Sequence, residues 1–66
     1  MEILINGEAK QVNEACTVAD LLDSLSLTGK RLALEINLEI VPRSAYGGHQ
    51  LNEGDRVEIV HAIGGG

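Results

Sequence analysis

The chain alternates from its first residue. Met1, Ile3 and Ile5 fall on one face of an extended segment, with Glu2, Leu4 and Asn6 on the other, the period-two pattern of a half-buried strand. Asn6-Gly7 follows, the pair that a type I′ hairpin turn favours because both central residues need positive φ. Glu8 to Val12 is then the returning strand. Its weak hydrophobicity, Ala9 and Val12, suits an edge blunted by Lys10. After a connector at 13–16 the period changes. Thr17 is placed as a helix N-cap, with Asp20 three residues on in a near-capping-box arrangement. Val18, Leu21, Leu22 and Leu25 recur at i, i+3, i+4 and i+7, one apolar stripe of a helix. Thr28-Gly29 is predicted to close it, with Gly29 as the left-handed C′ residue.

Alternation returns at Leu32 to Ile36, where Leu32, Leu34 and Ile36 point one way and Ala33 and Glu35 the other. Asn37-Leu38 makes a tight connection. Glu39 to Val41 is a short strand stopped by Pro42, which cannot donate to a ladder. Residues 43–50 read as a loop, Glu53-Gly54-Asp55 as a turn, and Arg56 to His61 as the final strand. A hairpin, one amphipathic helix and three further strands make a two-layer α+β domain, the helix covering one apolar sheet face. Periodicity leaves the strand order open. The β-grasp arrangement, with first and last strands parallel and adjacent at the sheet centre, is the leading candidate. The predicted organisation is a body over residues 1–61 and a flexible glycine-rich tail over 62–66.

Sixty-six residues bury only about 60% of the surface the unfolded chain exposes, so the core is small and has no room for a substrate cleft. The net charge is −5 and Tyr46 is the sole aromatic. An acidic chain without stacking platforms argues against nucleic acid and anionic membranes as partners. The single Cys16 excludes an internal disulfide and fits a reducing compartment. No leader pattern and no bilayer-length apolar run is present, so the expected location is cytoplasmic. His49 and His61 stand twelve apart without ligands at metal spacing, and no metal site is expected. Cys16 precedes the helix, where the dipole would favour a thiolate, but no base accompanies it, and an idle buried thiol is the expected state. Asp20 and Asp23 belong to a solvated helix face. The glycines fit no phosphate loop. Nothing here has the makings of an enzyme, and no bound cofactor is expected.

The ending is different. Ile63 is followed by Gly64, Gly65 and Gly66, whereas glycine is about 7% of average composition. A frayed end is the plain reading. The functional reading is a side-chain-free arm that carries a carboxylate into another protein's narrow site, because glycine alone lets backbone approach so closely. Residues 62–66 reach about 17 Å when extended, at roughly 3.4 Å each. A carboxylate is a poor electrophile until activated, and adenylation by ATP does that. If Ile3, Ile5, Val57 and Ile59 face the helix, Leu4 and Val60 lie on the opposite sheet face as a possible partner-docking surface.

The whole chain resembles the ThiS-type sulfur-carrier proteins of thiamine biosynthesis, within the ubiquitin-like β-grasp superfamily. The resemblance rests on Asn6-Gly7, on Thr17-Val18 opening a Leu-rich helix, and on Ile36-Asn37 followed by Ile40-Val41-Pro42-Arg43-Ser44. It continues through Leu51, Gly54-Asp55 and Val57 to Val60, and ends at Ala62-Ile63-Gly64-Gly65-Gly66. The resemblance implies that Gly66 is adenylated by an E1-like, ThiF-type enzyme using ATP and Mg²⁺ and then converted to a thiocarboxylate. The sulfur would come from cysteine through a desulfurase and pass to a ThiG-type thiazole synthase. Ile63, Gly64 and Gly65 would enter the partner's active site. Family members often carry Gly or a polar residue where this chain has Leu38. Two alternatives share the fold: the small subunit of molybdopterin synthase, with another acceptor, and a non-covalent interaction module with inert glycines.

Overall fold

A computed structural model describes residues 1–61. It contains strands β1 (Glu2–Ile5), β2 (Glu8–Gln11), β3 (Leu32–Ile36), β4 (Glu39–Ile40) and β5 (Arg56–His61). One helix, α1 (Val18–Ser24), and one 3-10 turn (Arg43–Ala45) complete it. The strands form a single mixed sheet in the order β2-β1-β5-β3-β4. β1 runs parallel to β5 at the centre, with Leu4 opposite Arg56 and Ile5 opposite Val57. The other pairings are antiparallel. This is the β-grasp arrangement that periodicity had left open.

The alternation of the strands decides which face is buried. Ile3, Leu34, Ile36, Val57 and Ile59 point inward and meet Val18, Leu21 and Leu22 of α1, with Leu51 and Val41 closing the ends of the core. Ile3, Val18, Leu21 and Leu34 are wholly out of water, and each such side chain contributes about 1.5–3 kcal/mol by burial. The capping box at Thr17 is complete: Asp20 N–H donates to Thr17 Oγ1 and Thr17 N–H to the Asp20 carboxylate, both at 3.1 Å. Two further N–H groups of the first turn are satisfied from outside the helix. Val18 N–H donates to the His49 carbonyl and Ala19 N–H to that of Tyr46. Residues 43–50 are therefore more than a connecting loop. They start as the 3-10 turn and then seal the open end of α1.

The helix ends earlier than the glycine signal predicted. Its C-cap is Leu25, and Ser26 takes the left-handed conformation at φ 60°. Leu27 N–H reaches the Leu22 carbonyl at 2.8 Å and Ser26 N–H the Asp23 carbonyl at 3.0 Å, the paired bonds of a Schellman motif. Leu27 packs against the core that includes Leu22, the apolar contact that accompanies such an ending. Gly29, expected at C′, instead takes φ 80° in the turn that brings Lys30 N–H to the Leu27 carbonyl. β4 is also shorter than expected and closes at Ile40, although Val41 N–H still bonds the Leu34 carbonyl.

Candidate functional site

β5 lies between β1 and β3 and is the last element of the described fold. Five rungs of antiparallel pairing with β3, from Ile36↔Val57 to Leu32↔His61, hold it along its length. On its other side β1 stops after Ile5, because Asn6 (φ 49°) and Gly7 (φ 87°) turn back into β2. Beyond that point Asn6 continues the pairing with its side chain. Its Oδ1 accepts from Ile59 N–H at 2.9 Å and its Nδ2 donates to the Ile59 carbonyl at 3.2 Å. Gripped on both sides, β5 carries the chain to His61, where the central strand ends. The predicted tail residues Ile63, Gly64, Gly65 and Gly66 lie outside the described residues.

Leu4 and Val60 share the face that looks away from α1, as their parity predicts. They are not neighbours. Leu4 lies beside Arg56, four residues before Val60, so about 13 Å of strand separates them. Together they bound one shallow depression, which runs along β5 where β1 has ended, with Asn6, Gly7 and Glu58 between them. Leu4 is half-buried, whereas Val60 is 63% exposed.

Two further large apolar side chains lie on this side of the sheet: Leu38, which the sequence marks as an apolar residue in a turn, and Ile40, which it does not mark. Ile40 is 72% and Leu38 83% exposed. Ile40 stands opposite Glu35, which in turn stands opposite Glu58. Ala33 is the cross-strand neighbour of Val60. The outer face thus mixes Val60, Ala33 and Ile40 with two opposed carboxylates. Leu38 sits in the turn after β3 at φ 72°, beside Asn37 at φ 52°. Asn37 is a second bracket on β5: its N–H donates to the Arg56 carbonyl at 2.8 Å, and Arg56 N–H donates to its Oδ1 at 3.0 Å.

The other candidates are kept apart by the fold. Cys16 is buried, and its thiol donates weakly to the Thr17 carbonyl at 3.4 Å. Burial, helped by the charge of Asp20, pushes its pKa above the ordinary thiol value. Desolvation therefore outweighs the helix-end effect, and the thiolate is disfavoured. His49 contributes its carbonyl to the helix start, and His61 is exposed at the end of β5. Among the described residues no three His, Cys, Asp or Glu side chains are grouped to hold a metal ion. No described helix is long and apolar enough to cross a membrane.

A family model described as the ThiS family matches residues 3–66, through the last glycine. The chain belongs to the ThiS family. The sulfur carrier protein ThiS of Escherichia coli (strain K12) is 38% identical over 66 residues, covering all of both chains. The crystal structure of the thiamine biosynthesis protein ThiS from Geobacter metallireducens superposes with a TM-score of 0.86 at 30% identity, again over the whole of both chains. A thiazole synthase of Paramagnetospirillum magneticum is 46% identical over 66 residues, but the chain spans only 20% of that protein's length. A thiazole synthase of Magnetococcus marinus is 39% identical over 66 residues, and the chain again spans only 20% of its length. The family's β-grasp fold, a mixed sheet on one main helix, is the fold described above, and its members include small sulfur carriers of thiamine biosynthesis.

Proposed function

We propose that this chain carries sulfur for thiazole formation on the carboxylate of Gly66. The observation that carries the reading is the placement of β5: a strand clamped by β3, by Asn6 and by Asn37 immediately precedes, in sequence, the family-matched residues 62–66. A rigid body and a side-chain-free arm are what delivery of a terminal carboxylate into a narrow site requires. In the proposed sequence a carboxylate oxygen attacks the α-phosphorus of ATP and pyrophosphate leaves. Hydrosulfide then displaces AMP from the acyl carbon and leaves a thiocarboxylate; where the donor is a protein persulfide, the acyl disulfide that forms is cleaved by a thiol reductant to the same thiocarboxylate. The ATP and Mg²⁺ belong to an E1-like adenylating enzyme of the ThiF type, and a cysteine desulfurase is the upstream sulfur source. Thiazole synthase accepts the sulfur, a pairing supported by the relatives of that name that include a similar segment. On this reading the chain is a cytoplasmic protein cosubstrate with a body at 1–61 and a working tail at 62–66. The depression between Leu4 and Val60 serves as the docking surface.

Intact-protein mass spectrometry tests the reading. The chain is incubated with ATP, the adenylating enzyme and a sulfur source, beside a variant lacking Gly66. The expected result is a mass gain matching one oxygen replaced by sulfur, localised to the terminal peptide and absent from the variant. An unmodified terminus, with an enzyme proven active on another carrier, overturns it.

A further inference from the structure

The chain has five Lys and Arg residues against ten Asp and Glu, yet three of the five cations gather at one end of the sheet. Lys30 and Arg31 immediately precede β3, whose first residue, Leu32, stands opposite His61, the last of β5. Arg43 joins them from the 3-10 turn: its Nη2 donates to the Lys30 carbonyl at 3.3 Å. All three are exposed. They lie at the end of the sheet at which β5 finishes. The opposed carboxylates Glu35 and Glu58 lie three rungs back, about 10 Å along the strands. That is about one Debye length at 0.1 M salt. A partner approaching the tail end therefore meets local positive charge despite the net charge of −5.

We propose that Lys30, Arg31 and Arg43 form a basic collar that docks on acidic side chains at the mouth of the thiazole synthase channel receiving the tail. The inference rests on the carrier reading above and adds to it the chemistry of the rim. Residues 62–66 can span up to about 17 Å from His61, so a nucleotide reacting with the carboxylate of Gly66 has no need to sit at the collar. Charges at the rim of an interface act mainly on encounter rate and orientation. Here they would align the end of β5 with the opening before the tail is threaded, so that fewer encounters fail.

Stopped-flow association with the organism's own thiazole synthase, at NaCl from about 20 to 500 mM, tests the collar. The wild-type rate constant should fall about tenfold or more across that range, as for steered association. In K30E/R31E it should be about tenfold lower at low salt and lose or invert its salt dependence, with dissociation nearly unchanged. K10E places the same kind of charge reversal on β2, at the far edge of the sheet, and should track the wild type. R43Q tests the third cation without reversing charge and should reduce the salt dependence part-way. A K30E/R31E variant that keeps the wild-type salt dependence overturns the collar, as does an equal loss per charge in K10E. Absence of wild-type association at every salt concentration overturns it too. Thiocarboxylate formation on the wild-type chain is measured separately. If it succeeds while the salt dependence is unmoved, only the collar fails; if it fails, the carrier reading itself is lost.

Discussion

The side-chain amide of Asn6 fills the place beside Ile59 that strand β1 vacates, with one bond accepted at 2.9 Å and one donated at 3.2 Å. Two properties of asparagine meet there. It tolerates the φ of 49° that the turn needs, and its amide reproduces the donor and acceptor of a strand residue. Each partly buried bond contributes about 0.5–1.5 kcal/mol, so Asn6→Ala should cost about 1–3 kcal/mol. Asn6→Gly keeps the backbone freedom and removes only the bonds, so it should fall between wild type and alanine. Urea midpoints of the three proteins check this. A glycine variant as stable as wild type would show that the bonds contribute nothing.

Leu38 is held at φ 72° with its side chain in water. The left-handed region costs a residue with a Cβ about 1–2 kcal/mol, and the exposed side chain recovers little of it. Leu38→Gly should therefore stabilise the chain by about 1 kcal/mol after glycine's own entropy cost. For a domain this small, that raises the melting temperature by about 4–8 °C. A lower melting temperature would mean that the leucine makes a stabilising contact in the folded chain.

How much of this could be read from the sequence follows from where the signals are local. Asn6-Gly7, Thr17 with Asp20, and the stripe Val18, Leu21, Leu22, Leu25 each act within a few residues, and each held in the structure except at the helix end. There a glycine signal at Gly29 lost to Ser26, because burying Leu27 against Leu22 required the chain to turn three residues earlier. The pairing of β1 with β5, whose partners Leu4 and Arg56 are 52 residues apart, is set by the whole core, and periodicity could only make it a candidate. The outer face was legible at Leu4 and Val60 from parity. Ile40 escaped because a two-residue strand gives no period to count, whereas Leu38 was legible as an apolar residue in a turn. Asn37 gave no sign of its bond to the backbone of Arg56, which depends on tertiary placement.

Cys16 gives a pH signature. Burial raises its thiol pKa above the ordinary value of 9.0, so the folded chain holds the proton more tightly than the unfolded one. The stabilisation this represents is fully present below pH 9.0 and is lost as pH rises through the folded value. Wild type should therefore lose stability relative to Cys16→Ala above that pH, while the gap between them stays constant from neutral to mildly alkaline pH. Paired urea titrations across the range measure the gap. A gap that does not narrow in alkali would show that the thiol titrates alike in both states. Alkylation by iodoacetamide at neutral pH should correspondingly be far slower in the folded chain than in denaturant.

Asp55 is the one charged side chain among the described residues that is buried, at 7% exposure. Its two oxygens tie the turn before β5 to the turn after β3. Oδ2 accepts from Asn52 N–H at 2.8 Å, closing the turn before β5, and Oδ1 accepts from Asn37 Nδ2 at 3.1 Å. Asn37 then uses its own Oδ1 to accept from Arg56 N–H, while the Asp55 carbonyl accepts from Leu4 N–H of β1 at 2.9 Å. The carboxylate thus fixes the start of β5 against the turn after β3, and the backbone carbonyl fixes it against β1. Hydrogen bonds to a charged group contribute about 1.5–3 kcal/mol, and stranding buried donors adds to the loss, so Asp55→Ala should cost about 2–4 kcal/mol. Asp55→Asn keeps one acceptor and should cost about half as much. The cost should be strongly non-additive with Asn37→Ala, because the two side chains share a bond. A double-mutant cycle in urea decides it. Additive losses would mean that Asp55 and Asn37 hold β5 independently, and that the start of the strand has two separate anchors where the structure shows one linked network.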